Sequence, residues 1–179
     1  MDISAISLTE ARLIYKLDYP FATALNPRIH QTIVENATLS DRGAMQTDWF
    51  SQYEEFKLVA GYVKAFLQLP KFQVSIYKSK LVLASLWGML YQPGDHQTVH
   101  DHLPCHWAFV YYVNTPKESP PLIFDDCSFS YYPVSGQILV FPASMRHHVP
   151  ASTVSGRSNV VGNFYFQTDP TAFPLLDDV

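Results

Sequence analysis

Residues 97–113 read Gln-Thr-Val-His-Asp-His-Leu-Pro-Cys-His-Trp-Ala-Phe-Val-Tyr-Tyr-Val, and this stretch decides the fold class. β-Branched and aromatic residues, which favour strands, recur in two short runs at residues 98–102 and 107–113. Pro104 lies between the runs and interrupts a strand because it has no backbone N–H to donate. We therefore predict two strands separated by a turn.

The same pattern of short β-rich runs and turn residues continues on both sides of this stretch. Further strands are predicted at residues 72–77, 82–91, 122–124, 130–132, 137–141, 147–149 and 159–166. This succession predicts a mainly β (α+β) protein whose core, residues 72–166, is a double-stranded β-helix, or jelly roll.

The first third of the chain shows a helical pattern instead. Asn26-Pro27 predicts the start of one helix, and Ser51 with Glu54 forms a possible capping box for a second. An apolar stripe at helical spacing follows, comprising Phe56, Val59, Ala60, Val63, Phe66 and Leu67, and Pro70 ends it. We expect a helical lead-in over residues 1–70 that packs on one sheet, and a single domain over residues 1–179.

Composition limits the class of function. The chain has 179 residues, 47% of them hydrophobic and 16% charged, which predicts a packed globular protein. Its formal net charge of −4 argues against a dedicated nucleic-acid binder. Only two cysteines occur, and residues 81–92, the longest nearly uncharged stretch, are too few to span a bilayer. We therefore expect a soluble, cytoplasmic protein with no membrane partner.

Histidines are concentrated in two clusters. His96, His100, His102 and His106 form the first, and His147 and His148 form the second. A lone histidine is usually an ordinary half-exposed residue, but His100 and His102 are two positions apart on a predicted strand and would project from one face. A third histidine just beyond the strand at 137–141 could return beside them. This arrangement predicts a metal site suited to Fe(II), Zn, Cu or Ni.

These residues also carry a family resemblance. Tyr91-Gln92-Pro93-Gly94-Asp95, His100-Asp101-His102 and the strand ending at Asn114 resemble the centre of iron(II)- and 2-oxoglutarate-dependent oxygenases. The resemblance is greatest to the prolyl-hydroxylase-like branch and to the 2OG-Fe(II) oxygenase family of bacteria and phages. Residues 136–142 followed by His147-His148-Val149 resemble that family's turn, strand and distal ligand. Residues 45–49 and Trp87 resemble further family positions.

The resemblance implies a role for each matching residue. His100, His102 and His147 would bind Fe(II), and the family's distal pattern favours His147 over His148. His106 is not expected to be a ligand either, because it lies past the end of the predicted strand. Arg157 would hold the far carboxylate of the cosubstrate 2-oxoglutarate, Tyr112 would donate its hydroxyl to the same carboxylate, and Asn159 would face inward beside Arg157. The implied reaction is hydroxylation of a small-molecule or peptide substrate by O₂, with decarboxylation of 2-oxoglutarate to succinate.

One position departs from the family pattern. These oxygenases usually bind iron through two histidines and a carboxylate, and the carboxylate position here is His102. Asp101 would face away on a regular strand. Three neutral imidazoles would leave the iron about one charge more positive than usual.

Two other interpretations stay open from the sequence. A cupin-type metal enzyme fits the spacing of Gly94 to His100 and His102, and of Gly136 to Pro142 and His147, but it needs neither Arg157 nor 2-oxoglutarate. A non-catalytic jelly-roll binding module is the third possibility. The sequence determines neither the primary substrate nor the oligomeric state.

Overall fold

A computed structural model describes residues 13–40, 43–69 and 79–168. These residues form two helices and eleven strands. The helices are α1 (Ala22–Asn36) and α2 (Glu54–Leu67). The strands are β1 (Tyr15–Asp18), β2 (Thr38–Leu39), β3 (Met45–Gln46), β4 (Ser79–Tyr91), β5 (Gln97–His100), β6 (Trp107–Asn114), β7 (Leu122–Phe124), β8 (Phe129–Tyr131), β9 (Gln137–Pro142), β10 (His147–Val149) and β11 (Arg157–Thr168).

The strands form two antiparallel sheets. A seven-stranded sheet has the order β1-β9-β6-β11-β4-β3-β2, and a four-stranded sheet has the order β5-β10-β7-β8. β11 lies at the centre of the larger sheet, where Val161 pairs with Val110 of β6 and with Trp87 of β4. The two sheets pack face to face, which confirms the predicted jelly roll.

Each face of the larger sheet has its own apolar core. The outer face is covered by α1 and α2, whose buried residues Ile29, Ile33, Phe56 and Val63 pack on the sheet. The inner face packs against the smaller sheet through a second cluster that includes Trp87, Tyr91, Tyr112 and Phe141. The helices therefore lie on one outer face, as predicted, and the space between the sheets is where the histidines meet.

The helix starts differ from those predicted. α1 begins at Ala22, five residues before Pro27, so Asn26 and Pro27 lie inside the helix and not at its start. Asn26 does not cap the helix because its Nδ2 donates to Val113 O at 2.9 Å and to Ser135 Oγ at 3.0 Å. The capping box is also wrong: α2 follows Tyr53 without a side-chain cap, and the Ser51 hydroxyl donates to Asp48 O.

Several predicted strands need correction. The lead-in is not purely helical, because β1, β2 and β3 belong to the larger sheet. The sequence does not predict these strands because runs of two to four residues are too short to show an alternating pattern. The strand predicted at 98–102 ends at His100. The strand predicted at 72–77 lies outside the described residues.

No helix among the described residues is long and apolar enough to cross a membrane.

Gly162 marks the tightest contact between β11 and β6. A Cβ at this position would lie 2.5 Å from Cε1 and 2.8 Å from Cζ of Phe109, closer than atoms can pack. We expect Gly162→Ala to lower the free energy of unfolding by about 1–3 kcal/mol, measured by chemical denaturation. Gly61→Ala is the matched control: nothing lies within 4 Å of its Cβ, and α2 should gain about 0.5–1 kcal/mol. Equal effects of the two substitutions would contradict this account.

Candidate metal centre

Three histidines converge at the edge of the smaller sheet. His100 is the last residue of β5, His147 is the first of β10, and the two are direct partners in the antiparallel pairing. His102 lies in the turn after β5, where its backbone N–H donates to Ala143 O at 2.8 Å. One ligand atom from each histidine lies within 4.8 Å of the other two. The turn, rather than strand alternation, brings His102 to the site.

The hydrogen bonds of two of these rings leave a nitrogen lone pair for a metal. His147 Nδ1 is 2.8 Å from Met145 O, and His100 Nδ1 is 2.8 Å from Thr98 O. A carbonyl oxygen only accepts, so both Nδ1 atoms carry the proton and Nε2 is the ligand atom of the neutral ring. Such bonds fix the tautomer and orientation of metal-binding histidines.

His147 is held in the neutral form that binds metals. Burial lowers the pKa of its imidazole to about 4, and the neighbouring His100 ring also lowers it. Its ring centroid lies 4.4 Å from that of His100 and 5.0 Å from that of His102. His147 is therefore uncharged at neutral pH.

The neighbouring polar side chains bind elsewhere. Asp101 is exposed, and its Oδ1 accepts from Leu103 N at 3.1 Å. His148 Nδ1 is 2.9 Å from Asp125 Oδ2, and His106 Nδ1 accepts from Phe166 N at 3.2 Å. Among the described residues, no carboxylate joins the three histidines.

The histidines line a cavity between the two sheets. The cavity encloses about 520 Å³, counting the part open to solvent. Eight of the fifteen lining residues are apolar or aromatic and seven are polar or charged; the lining comprises Gln46, Trp49, Trp87, Met89, Tyr91, Gln97, His100, His102, Val110, Leu122, His147, Val149, Arg157, Asn159 and Val161. Trp87 and Tyr91 thus both line the cavity and belong to the inner core, whereas Trp107 packs against the outer core.

Arg157 brings a positive charge into this cavity. The side chain is 0% exposed, its Nη1 donates to Pro120 O at 2.8 Å, and its guanidinium lies 4.7 Å from the centre of the Tyr91 ring. Its Nε and Nη2 have no hydrogen-bond partner among the described residues, and no described carboxylate forms an ion pair with it. A buried, unpaired cation costs several kcal/mol, so this arrangement is suited to an anionic ligand.

Other buried polar groups near Arg157 also lack partners among the described residues. They are Tyr112 Oη, Asn159 Oδ1 and Gln97 Nε2. Asn159 and Tyr112 are partners across β11 and β6, and Tyr112 stacks on Tyr131 with ring centroids 5.6 Å apart. Burial raises the pKa of the Tyr112 hydroxyl, and the charge of Arg157 partly offsets this effect. Tyr112 therefore keeps its proton and is available as a donor.

The unpaired donors of Arg157, Tyr112 and Gln97, together with the three histidines, fit a metal and an organic anion bound in one cavity. Three imidazoles on one edge suit a divalent transition metal with positions left for other ligands. The guanidinium has the planar geometry that holds a carboxylate through two parallel bonds. The residues present thus fit Fe(II) and 2-oxoglutarate.

Two cavity residues were missed by sequence reasoning. Gln97 precedes the strand predicted at 98–102, and nothing in the sequence shows that its amide is buried in the cavity. Trp49 lies in a segment noted only for its resemblance. Its ring centroid is 4.4 Å from that of Trp87, and this contact joins segments far apart in sequence.

Comparison with known proteins supports the fold. No protein-family model and no curated protein sequence matches the chain. A viral collagen prolyl hydroxylase from Paramecium bursaria Chlorella virus-1, solved with 2-oxoglutarate, has a TM-score of 0.66 at 15% identity, covering 89% of this chain and 98% of its own. A Pseudomonas putida prolyl-4-hydroxylase has a TM-score of 0.67 at 18% identity, covering 87% and 93%.

A third solved structure has the same fold. A Trichoplax adhaerens prolyl hydroxylase, in complex with a peptide fragment of the hypoxia inducible factor oxygen degradation domain, has a TM-score of 0.65 at 13% identity and covers 92% of this chain and 87% of its own. The resemblance noted in the sequence is confirmed at the level of the fold, which is that of the prolyl hydroxylases.

Proposed function

We propose that the protein is an iron(II)- and 2-oxoglutarate-dependent oxygenase that hydroxylates a small-molecule or peptide substrate. One observation carries this proposal: Arg157 is fully buried without an acidic partner among the described residues, in the same cavity as His100, His102 and His147. A protein rarely retains such a charge unless a ligand neutralises it. A dicarboxylate that also reaches the metal meets this requirement.

The other two interpretations leave Arg157 without a role. A cupin-type enzyme that binds its substrate on the metal alone has no need of a cation buried at the far end of the cavity. In a non-catalytic module, an apolar side chain could replace the unpaired arginine without loss of stability, so nothing would favour keeping its charge. The prolyl hydroxylase fold also supports the oxygenase.

Each residue has a distinct role in this proposal. His100, His102 and His147 would hold Fe(II), and Arg157 would bind the far carboxylate of 2-oxoglutarate. The Tyr112 hydroxyl and the Gln97 amide would donate to the cosubstrate, and Asn159 would fix its position beside Arg157. When bound, iron and 2-oxoglutarate would supply the oxidation of a C–H bond by O₂, coupled to decarboxylation to succinate.

The rest of the cavity wall excludes water from the reacting groups. Val110, Leu122, Val149 and Val161 line it with aliphatic side chains. Low polarity strengthens the pairing of Arg157 with a carboxylate, since the charges are less screened than in water.

Strands from the first third of the chain and from the remainder share the larger sheet. We therefore also propose that the chain works as one domain. A cytoplasmic location stays a prediction.

Binding and turnover together test the proposed function. Calorimetry of the Fe(II)-loaded protein under anaerobic conditions should show one 2-oxoglutarate site, and addition of O₂ should yield succinate that metal-free protein does not produce. Metal binding without any 2-oxoglutarate binding would overturn the proposal in favour of the cupin interpretation. Absence of metal binding would favour the non-catalytic module.

A further inference from the structure

The segment at residues 47–51 is held against β4 by an unusually complete set of hydrogen bonds. Thr47 N donates to Gly88 O at 3.0 Å, and Gly88 N donates to Thr47 Oγ1 at 2.9 Å. Ser51 N donates to Leu86 O, and Leu86 N donates to Trp49 O, both at 2.9 Å. We call this segment the Trp49 loop.

Bonds within the Trp49 loop fix it further. The Thr47 and Ser51 hydroxyl oxygens are 2.8 Å apart, and Ser51 Oγ donates to Asp48 O at 2.7 Å. Phe50 N donates to Asp48 Oδ1 at 2.7 Å. Thr47 and Ser51 are both buried. A connection tied down at so many points presents its side chains in one arrangement, before any ligand binds.

The side chain presented is an indole beside the metal centre. Trp49 is half-buried, lines the cavity, and packs on Trp87 with an interplanar angle of 40°. Trp87 in turn lies 6.1 Å from the His102 ring, measured between centroids. Two indoles therefore form a continuous aromatic wall that leads from solvent to the candidate ligands.

The charge around this wall restricts what it can bind. Among the described cavity-lining residues, Arg157 is the only lysine, arginine, aspartate or glutamate, and the proposed function assigns its charge to 2-oxoglutarate. A charged substrate group inside the cavity would lose hydration without gaining an oppositely charged partner there, because Asp48, the neighbour of Trp49, does not line the cavity. An uncharged ring would instead stack on the indole and would lose little favourable hydration.

The cavity also continues past Trp49. An open depression of about 660 Å³ shares Gln46 and Trp49 with the cavity and is otherwise lined by Thr38, Leu39, Ser40, Thr47 and Asp48. Hydroxyl and amide groups prevail there, in contrast to the aromatic wall. We therefore expect a substrate that fills both spaces to place a ring in the cavity, towards the metal ligands, and its polar groups in the depression.

We infer that Trp49 is a specificity-determining residue that stacks an uncharged ring of the primary substrate, whose polar body lies in the adjoining depression. This inference rests on the proposed function, because it takes the metal and 2-oxoglutarate to occupy the inner end of the cavity. The ring belongs either to a free molecule or to a residue of a peptide, since both present the same chemistry to Trp49.

Ligand NMR with a paramagnetic metal tests the inference without turnover. The probes are N-acetyl-phenylalaninamide, its acyclic analogue N-acetyl-norleucinamide, and the charged N-acetyl-lysinamide and N-acetyl-glutamate amide. Relaxation of probe protons is compared between Co(II)- and Zn(II)-loaded protein, each saturated with 2-oxoglutarate. We expect metal-dependent relaxation for the ring probe and at least severalfold weaker binding of the other three.

Three variants assign the effect to Trp49. Trp49→Ala should weaken binding of the ring probe about tenfold, which corresponds to 1.4 kcal/mol, within the range for a lost stacking partner. Trp49→Phe should stay close to wild type because it keeps a ring. Trp107→Phe, on the outer core beside Tyr15, should change nothing.

Each outcome has a definite meaning. Equal binding of ring and acyclic probes, or an unchanged affinity in Trp49→Ala, overturns the inference. Failure of Co(II) or 2-oxoglutarate to bind overturns the proposed function instead, and is detected before any probe is added. If Trp49→Ala does not fold, Trp49→Leu takes its place: it fills more of the space but has no ring, so an unchanged affinity for the ring probe again overturns the inference. A capped hexapeptide that contains phenylalanine and binds more tightly than the amide assigns the ring to a peptide; equal affinity assigns it to a free molecule.

Discussion

Replacing Arg157 with alanine should weaken 2-oxoglutarate binding about 10- to 150-fold, because a charge-assisted pair with a carboxylate contributes about 1.5–3 kcal/mol. Arg157→Lys should recover only part of this affinity, since an ammonium lacks the planar fork. Metal affinity should hardly change in either variant. Calorimetry of the metal-loaded proteins measures all three affinities, and equal 2-oxoglutarate affinities would remove the cosubstrate site from this position.

The same residue should have the opposite effect on stability. In the absence of 2-oxoglutarate, the buried guanidinium has only Pro120 O and the Tyr91 ring as partners among the described residues. Arg157→Met keeps most of the volume and removes the unpaired charge, so the free energy of unfolding should rise by about 1–3 kcal/mol. Arg146→Met, at an exposed position, is the control and should change neither property. A less stable Arg157→Met protein would show that Arg157 is a structural residue.

Removing His147 should severely weaken metal binding. The side chain is 3% exposed and its ring lies beside both other histidines. Loss of one of three ligands should weaken metal binding by more than about 100-fold, because disturbing even the outer partners of a ligand costs about 10- to 100-fold. Titration with Co(II), followed by its visible spectrum, measures the change in His147→Ala.

The adjacent histidine provides a matched control for this experiment. His148 is paired with Asp125 and should be dispensable, so His148→Ala should bind Co(II) as the wild type does. Metal should also raise the thermal unfolding midpoint of the wild type and of His148→Ala but not of His147→Ala, since only a folded site that binds metal is stabilised by it. Full-strength Co(II) binding by His147→Ala would refute the assignment.

The sequence predicted the fold and the three grouped histidines, but not the way in which they meet. His100 and His102 were placed on one face by strand alternation, yet the strand ends at His100 and a turn bonded to Ala143 brings His102 inward. The two-residue spacing of His100 and His102 still indicated side chains that lie together, because a short turn also returns a side chain to the same edge of the smaller sheet. The main strands were predictable because their β-branched and aromatic runs reflect burial between layers.

Other features depend on contacts that no local pattern records. The burial of Arg157 without an acidic partner in the described part of the chain follows from which strands flank β11, and the burial of Gln97 follows from the packing of two sheets. Asn26 showed a capping signal, but its amide bonds to Val113 and Ser135 on the sheet instead. In each case a tertiary hydrogen bond or pairing outweighed the local preference.

The central position of β11 has a consequence for the synthesis of the protein. β11 is the last strand along the described residues, and it lies between β6 and β4, which are made earlier. At roughly 5–20 residues per second, a ribosome takes several seconds to pass from the end of β6 to the end of β11. During that interval the facing edges of β4 and β6 lack their partner and are open to other strands. The strand that closes this gap also carries Arg157, so a nascent chain completes the larger sheet and brings Arg157, the proposed cosubstrate residue, into the cavity in the same folding event.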